Sequence, residues 1–398
     1  MITVKEALKL VKDETNTSGR IRAISVANAS KHILSQDIYA PIAIPPFRQS
    51  SMDGFAIRFD ESEQTNFHIT NEIKAGDSGN CRMQPGDAVR IFTGAPVPED
   101  ADAVVVQEKA TVEGSKLTIA ESPTEGQNIR PFGGLLAKDS LALAEGHFIT
   151  PASVSLLMSL GIEKVQVYKA PKVAIIITGN ELVSTGGPLE NGQLYESNGT
   201  TLKAALYQQG IEEVSNFYAK DTLEETEAVL DKALETSDIV IISGGISVGD
   251  YDFVGPALRN LRVEQLFYKV HQKPGKPLYF GKKDEKLVFA LPGNPASTLT
   301  CFYVYVTLLI DLWRGSENPG LLRIQYPISE AFEKTIGRAL FLKARIKDGK
   351  VVILNQQNSA TVISFAIANA LVFIPGNVEK VAKHELVETL VLPYGSSN

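Results

Sequence analysis

The chain has 398 residues, of which 44% are hydrophobic and 21% charged, and its formal net charge is −7. That length exceeds what one hydrophobic core usually supports, so two to four domains are expected. The acidic balance excludes a general nucleic-acid binder, which needs an excess of Lys and Arg to displace counterions, so any anion site must be local.

In chain order, Val4, Ala7, Leu8 and Val11 mark one face of an amphipathic helix interrupted by Lys and Glu, not a secretory leader. A helical region is expected over residues 1 to about 40, until Pro41, Pro45 and Pro46 force an extended passage. Short β-like runs follow between Asp53 and Arg130, among them Phe55–Ile57, Ala88–Phe92 and Ala103–Val106, separated by Gly, Pro and Asp. Thr150 and Pro151 then open a helix that Gly161 stops. These signals predict a discontinuous helical/linker domain over 1–40 and 131–170, interrupted by a β-rich domain over 41–130.

Residues 171–315 read as a mainly parallel α/β domain. Apolar strands are expected at Val173–Ile177, Asn216–Tyr218, Ile239–Ile242 and Leu266–Val270, with a hairpin pairing Leu278–Phe280 and Leu287–Phe289. Helices are expected at Asn198–Gly210, after the Thr222/Glu225 capping box, near Val254–Leu261 and from Asn294–Pro295 onward. Residues 316–398 return to strands and predict a small, barrel-like C-terminal β domain. The apolar stretch around Phe302 to Leu312 is too short to span a bilayer, and Cys81 and Cys301 have no CxxC or histidine companions. A cytoplasmic protein without a membrane partner fits both.

In open parallel sheets, ligands bind beyond the carboxyl ends of the strands. Four post-strand loops share one chemistry: Thr178-Gly179-Asn180-Glu181, Ser243-Gly244-Gly245-Ile246-Ser247-Val248-Gly249-Asp250-Tyr251-Asp252, Lys273-Pro274-Gly275-Lys276-Pro277 and Pro292-Gly293-Asn294-Pro295. Turn chemistry alone explains any one of them as well as ligand binding does. Together they offer backbone donors, two lysines, a helix N-terminus at Pro295 and the acids Glu181, Asp250 and Asp252, a set suited to a phosphate or pyrophosphate with Mg²⁺ between the like charges. Asp221 both precedes a helix and lies at the same sheet edge. In the β-rich domain, Ser51-Met52-Asp53-Gly54-Phe55, Thr93-Gly94-Ala95-Pro96 and Arg130 repeat the theme of polar groups beside glycine.

These motifs, with Asp102-Ala103-Val104-Val105, Gln107-Glu108 and Asn128-Ile129-Arg130, occur in the order of the MoeA family, which the whole chain resembles. The resemblance implies a molybdopterin molybdenumtransferase, inserting molybdate into adenylylated molybdopterin with release of AMP and with Mg²⁺ as cofactor. It implies four domains and a homodimer whose site lies between the α/β domain of one subunit and the β-rich domain of the other, with the upstream adenylyltransferase as a further partner. On that footing Asp53, Thr93, Glu181, Asp221 and Asp252 are expected to be catalytic, and Asp221, Asp250, Asp252 and Glu181 to hold metal. Ser243, Gly244, Gly245, Ser247, Gly249, Lys273, Gly275, Lys276, Pro292, Gly293, Asn294 and Arg130 are expected to bind the pterin substrate. One departure stands out: the family commonly shows Gly-Glu-Asp where this chain has Gly133-Gly134-Leu135. Two alternatives stay open, an adenylyltransferase acting one step earlier and a non-catalytic molybdopterin carrier.

Overall fold

Helix α1 (Val4–Glu14) begins with a reciprocal cap: Glu6 N donates to Thr3 Oγ1 at 3.2 Å, and Thr3 N donates to Glu6 Oε2 at 2.7 Å. The computed structural model describes residues 1–15, 20–59, 64–246 and 252–393. Two units emerge, one comprising Met1–Arg22, Lys31–Ile33 and Val167–Asn398, the other Ala23–Ser30 and Leu34–Gln166.

The second unit is built on a six-stranded sheet of β1 (Gly54–Ile57), β2 (Asn66–Ile73), β3 (Asp87–Ile91), β4 (Ala103–Val106), β5 (Ala110–Glu113) and β6 (Lys116–Ile119), in the order β4-β1-β3-β2-β6-β5. Only β2 and β3 run parallel. The period-2 alternation of β1 sends Phe55 and Ile57 into one core and Ala56 into another. Gly54 opens β1 as a close-approach residue: a Cβ there would sit 1.9 Å from the Val105 carbonyl oxygen. Helix α2 (Pro151–Ser159) is capped by Thr150, whose Oγ1 accepts from Ser153 N at 3.2 Å.

The first unit holds a second six-stranded sheet. Its strands are β7 (Val173–Thr178), β8 (Val214–Ala219), β9 (Ile239–Ser243), β10 (Glu264–Tyr268), β11 (Tyr279–Lys283) and β12 (Lys286–Leu291), in the order β8-β7-β9-β12-β11-β10. The first four in that order are parallel, and the hairpin β11–β12 reverses the edge. Helices α3 (Asn198–Gln208), α4 (Leu223–Thr236), α5 (Val254–Asn260) and α6 (Pro295–Trp313) accompany it. The chain leaves β7 toward β8 and returns to the other side of β7 as β9, so the direction of strand addition switches between β7 and β9. Ile175, Ile177, Ile239 and Ile241 face one core, Ala174, Ile176, Val240 and Ile242 the other, which is why these strands read as continuous apolar runs.

Helix α6 contains a π-turn at Phe302–Val306. It is the one helix among the described residues long and apolar enough to cross a membrane, and 89% of that stretch is buried inside the unit. The C-terminal sheet comprises β13 (Arg323–Pro327), β14 (Ala339–Lys347), β15 (Lys350–Ile353), β16 (Ala370–Ile374) and β17 (Leu386–Val391), with helix α7 (Ile363–Ile367) beside it. Its order is β14-β16-β17-β13, β15 pairs with β14, and Gln272–Lys273 adds in parallel at Ala339–Leu340.

One expectation is corrected. Among the described residues, α-helix over residues 1 to about 40 is confined to α1; Val26–Asn28 is a single 3-10 turn, and Ile21–Ser25 and Ile38–Tyr39 are strands, because no 3.6-residue apolar period continues past Val11. The stripe of α1, Val4, Ala7 and Val11, enters the α/β core with Val173 and Phe302.

Candidate active site

At the carboxyl ends of β7, β9 and β12, on either side of the switch point, lies a cleft of about 710 Å³. Strand β7 delivers Thr178, whose side chain is buried with no hydrogen-bond partner on Oγ1 among the described residues. Strand β9 delivers Ser243 and then turns sharply through Gly244 at φ +99° and Gly245 at φ +62°. A Cβ on Gly244 would come within 2.7 Å of Thr178 Oγ1 and 2.9 Å of Thr178 O, so the turn closes onto the neighbouring strand only because no side chain is there.

Asn198, at the start of α3, locks two of the loops together. Its Nδ2 donates to Ser243 Oγ at 3.0 Å and to Gly293 O at 2.7 Å. Ser243 thus has one of its two acceptor lone pairs engaged by Asn198. Asp221 and Asn180 form a second lock: Asn180 N donates to Asp221 Oδ2 at 3.0 Å, and Asp221 N donates to Asn180 Oδ1 at 3.2 Å. Asp252 lies near Tyr268, whose phenol donates to Ile246 O at 2.9 Å; burial first, and the Asp252 charge second, push the Tyr268 pKa up.

The cleft gathers Glu181, Asp221, Ser243, Gly244, Gly245, Asp252, Pro292, Gly293 and Asn294 as expected, and adds Glu196 and Asn198. Among the described residues, four carboxylates line it and no lysine or arginine does. Lys273, Gly275 and Lys276 stay outside; their loop reaches the cleft only through Pro277. Gln272, fully buried, donates from Nε2 to Pro274 O and Gly275 O at 3.1 and 3.2 Å, and Gln272–Lys273 pairs with β14, which draws this loop toward the C-terminal sheet. Ser247, Gly249 and Asp250 lie outside the described residues.

The helix N-terminus read as a phosphate site is occupied by the protein itself. Pro295 has no N–H, Ala296 N donates to Ser359 O at 3.1 Å, and Ser297 N and Thr298 N donate to Asn294 O at 2.9 and 3.0 Å. No three Asp, Glu, His or Cys among the described residues form a group able to hold a metal. The donor set nonetheless fits Mg²⁺, which keeps several waters and takes one or two carboxylates together with substrate phosphate oxygens rather than an all-protein cage.

In the β-rich unit the structure brings Asp53, Thr93 and Arg130 around one loop. Thr93 N and Oγ1 donate to Asp53 Oδ1 at 2.6 and 2.7 Å, and these bonds, the backbone one first, pull the Asp53 pKa below the usual aspartate range. Arg130 donates from a guanidinium N–H to Gln49 Oε1 at 3.1 Å, and Gln49 Nε2 donates to Gly94 O at 3.2 Å. At the departure from the family pattern, Leu135 N donates to Ile44 O at 2.9 Å and its side chain is exposed. Asn198 and Ser359 escaped the sequence reading because neither sits in a glycine-rich motif; Asn198 was visible only as a helix-opening polar residue.

Fold and cleft together define a class, the doubly wound α/β proteins that bind a ligand at the topological switch point. Three family descriptions match this chain in order: the MoeA N-terminal region (domain I and II) over residues 2–161, a probable molybdopterin binding domain over 174–311, and the MoeA C-terminal region (domain IV) over 325–392. The chain belongs to the MoeA family. It is 37% identical over 321 residues to the molybdopterin molybdenumtransferase of Haemophilus influenzae, covering 80% of this chain and 79% of that one. It is 33% identical over 400 residues to the protein of the same name from Staphylococcus epidermidis, covering 98% and 95%. A crystal structure of a molybdopterin biosynthesis MoeA protein from Pyrococcus horikoshii superimposes with a TM-score of 0.85 at 28% identity, over 98% of this chain and 100% of that one.

Proposed function

We propose that this chain is a molybdopterin molybdenumtransferase of molybdenum cofactor biosynthesis, and that the cleft beyond β7 and β9 takes adenylylated molybdopterin and molybdate. The relatives' name and the family membership support the activity. The observation that carries the site is the cleft's composition: the hydroxyls of Thr178 and Ser243 and the backbone of Gly245 beside four carboxylates, without a basic side chain among the described residues. A pyrophosphate is repelled by that ring of acids unless a divalent cation intervenes.

Asp221, Asp250 and Asp252 would hold Mg²⁺, with Glu181 toward the molybdate and dithiolene end. When bound, Mg²⁺ would supply charge neutralisation at the pyrophosphate oxygens. Ser243, held by Asn198, would donate to a phosphate oxygen, as would the Gly245 N–H, with Gly244 letting the substrate approach the backbone and Ser247 and Gly249 as further binding residues. The Pro292–Asn294 loop would wall the substrate, and Lys273 and Lys276, exposed at the end of the loop that holds Pro277, would reach phosphate oxygens from the rim. In a homodimer, Asp53, Thr93 and Arg130 of the partner subunit would complete the site, and the upstream adenylyltransferase would deliver the substrate. Cytoplasmic placement suits the free thiols Cys81 and Cys301. The four-domain division at 1–40 with 131–170, 41–130, 171–315 and 316–398 is kept, with α1 moved to the α/β core.

The test is AMP release from adenylylated molybdopterin by the purified protein, with molybdate and Mg²⁺ each varied. Release that needs both supports the reading. Binding without release marks a carrier, and adenylylation of molybdopterin from ATP alone marks an adenylyltransferase; either overturns it.

A further inference from the structure

Lys343 of β14 is a buried charge that none of the assignments above uses. It is 2% exposed, and its Nζ donates to the carbonyl oxygens of Gln356, Asn358 and Thr361 at 2.9, 3.2 and 3.3 Å. Burial pulls its pKa down, and what keeps the ammonium charged is these three carbonyl dipoles, with the Phe365 ring centroid 6.0 Å away. All three carbonyls belong to one irregular loop, 355–361. Gln356 has φ +59°, a left-handed backbone that a residue with a side chain holds only where its surroundings fix it. The backbone of Lys343 joins in: its N–H donates to Gln357 Oε1 at 3.0 Å, and Gln357 Nε2 donates to its carbonyl at 2.8 Å.

The other side of this loop is the cleft. Ser359 O accepts from Ala296 N at 3.1 Å, Ser359 Oγ accepts from Asn294 Nδ2 at 3.3 Å, and Ala360 lines the cavity. The loop is therefore bound on one face by Lys343 of the C-terminal sheet, with Ser364 Oγ donating to Gln356 O at 3.0 Å, and on the other by the first turn of α6 and the Pro292–Asn294 turn.

We propose that Lys343 is a positioning residue of the reaction site, stapling loop 355–361 against the start of α6 and so fixing Asn294 and the cleft wall at Ala360. The inference rests on the reading of this cleft as the substrate site. Removing the ammonium takes this donor from the carbonyls of Asn358 and Thr361, leaves Gln356 O with Ser364 Oγ at 3.0 Å, and frees the 358–361 part of the loop to sample other conformations. Substrate binding must then order it, a cost that falls on KM rather than on kcat.

The experiment pairs Lys343→Met with Lys343→Arg, Asn358→Ala and Ser359→Ala in the full-length protein. Asn358 is included because its Oδ1 accepts from Ala360 N and Thr361 N at 3.0 and 2.9 Å, so that it holds the same loop without a buried charge and serves if Lys343→Met does not fold. Lys343→Met and Asn358→Ala should raise KM for adenylylated molybdopterin about 10-fold with kcat within about 2-fold, and Lys343→Arg should recover part of the loss. Lys343→Met and Ser359→Ala should be non-additive in a double-mutant cycle, because both act through one loop. Val372→Ala, in the C-terminal core away from the loop, should leave KM unchanged. Amide hydrogen exchange gives a readout independent of turnover: segments 354–361 and 294–298 should both exchange about 10-fold faster in Lys343→Met while the rest of α6 stays protected. Unchanged exchange at 294–298, or a KM rise equalled by Val372→Ala, overturns the proposal. If the wild-type protein releases no AMP, the functional reading fails, and the exchange data still decide whether the staple exists.

Discussion

The Gly244 turn and the Asp53–Thr93 pair place polar groups by opposite means. The turn is held by shape: it packs its backbone against Thr178 so tightly that a methyl group has no room, and the hydroxyls around it are buried. The pair is held by two short hydrogen bonds at an exposed carboxylate. Substitution in the first therefore disturbs fold and chemistry together, whereas substitution in the second can remove chemistry and leave the fold standing.

The largest expected effect tests the first half of that contrast. Gly244→Ala should lower stability by about 1–3 kcal/mol and reduce AMP release by more than about 100-fold, read by urea denaturation and the release assay. A variant as stable and active as wild type would remove the claim that shape holds the turn. Asp53→Asn comes next: activity should fall by about 10- to 100-fold with stability within about 0.5 kcal/mol of wild type. Equal losses in both measurements would put Asp53 in the same category as Gly244.

Thr178→Val sharpens the comparison inside the buried region. Its Oγ1 has no partner among the described residues, so the isosteric change should not reduce thermal stability, yet it should weaken ligand binding by about 5- to 10-fold, the value of one hydrogen bond. A drop in melting temperature with unchanged affinity would show that the hydroxyl serves the fold. The smallest effect is Thr93→Val, which keeps the backbone N–H and removes only the hydroxyl. The Asp53 carboxyl, followed by NMR, should then titrate somewhat closer to the ordinary aspartate value of about 3.9. Because its folded pKa is depressed, whatever stability the Asp53 contacts give is present above the unfolded pKa and is lost as pH falls through the folded one. A titration unmoved in Thr93→Val would assign the whole depression to the backbone N–H.

The loops after β7 and β9 were legible because a continuous run such as Val173–Ile177 or Ile239–Ile242 ends in glycine and hydroxyl residues, and that local signal is enough to fix a strand and its exit. What the sequence could not show was where long-range pairing sends a loop. Lys273 and Lys276 sit in a motif that looks suited to phosphate, but with Gln272 paired to Ala339 neither is among the residues lining the cleft, which the loop reaches through Pro277. Pro295 opens a helix as expected, yet the donor it should leave free is taken by Ser359, a residue 64 positions further along than its proline neighbour in the first turn. Helix α1 was recognised from its stripe, but a stripe does not name its partner, and the Thr307–Trp313 end of α6 proved to be that partner.

One core joins Phe341, Leu371 and Leu390 of the C-terminal sheet and Phe365 of α7 with Phe302, Leu309 and Ile177 of the α/β layers. The two parts are thus expected to melt cooperatively, in one transition, and neither is an independent foldon. A chain shortened at residue 316 would not be a smaller version of the protein. It would carry the bared side of α6 as an apolar patch, and aggregation rather than reduced turnover would be its phenotype.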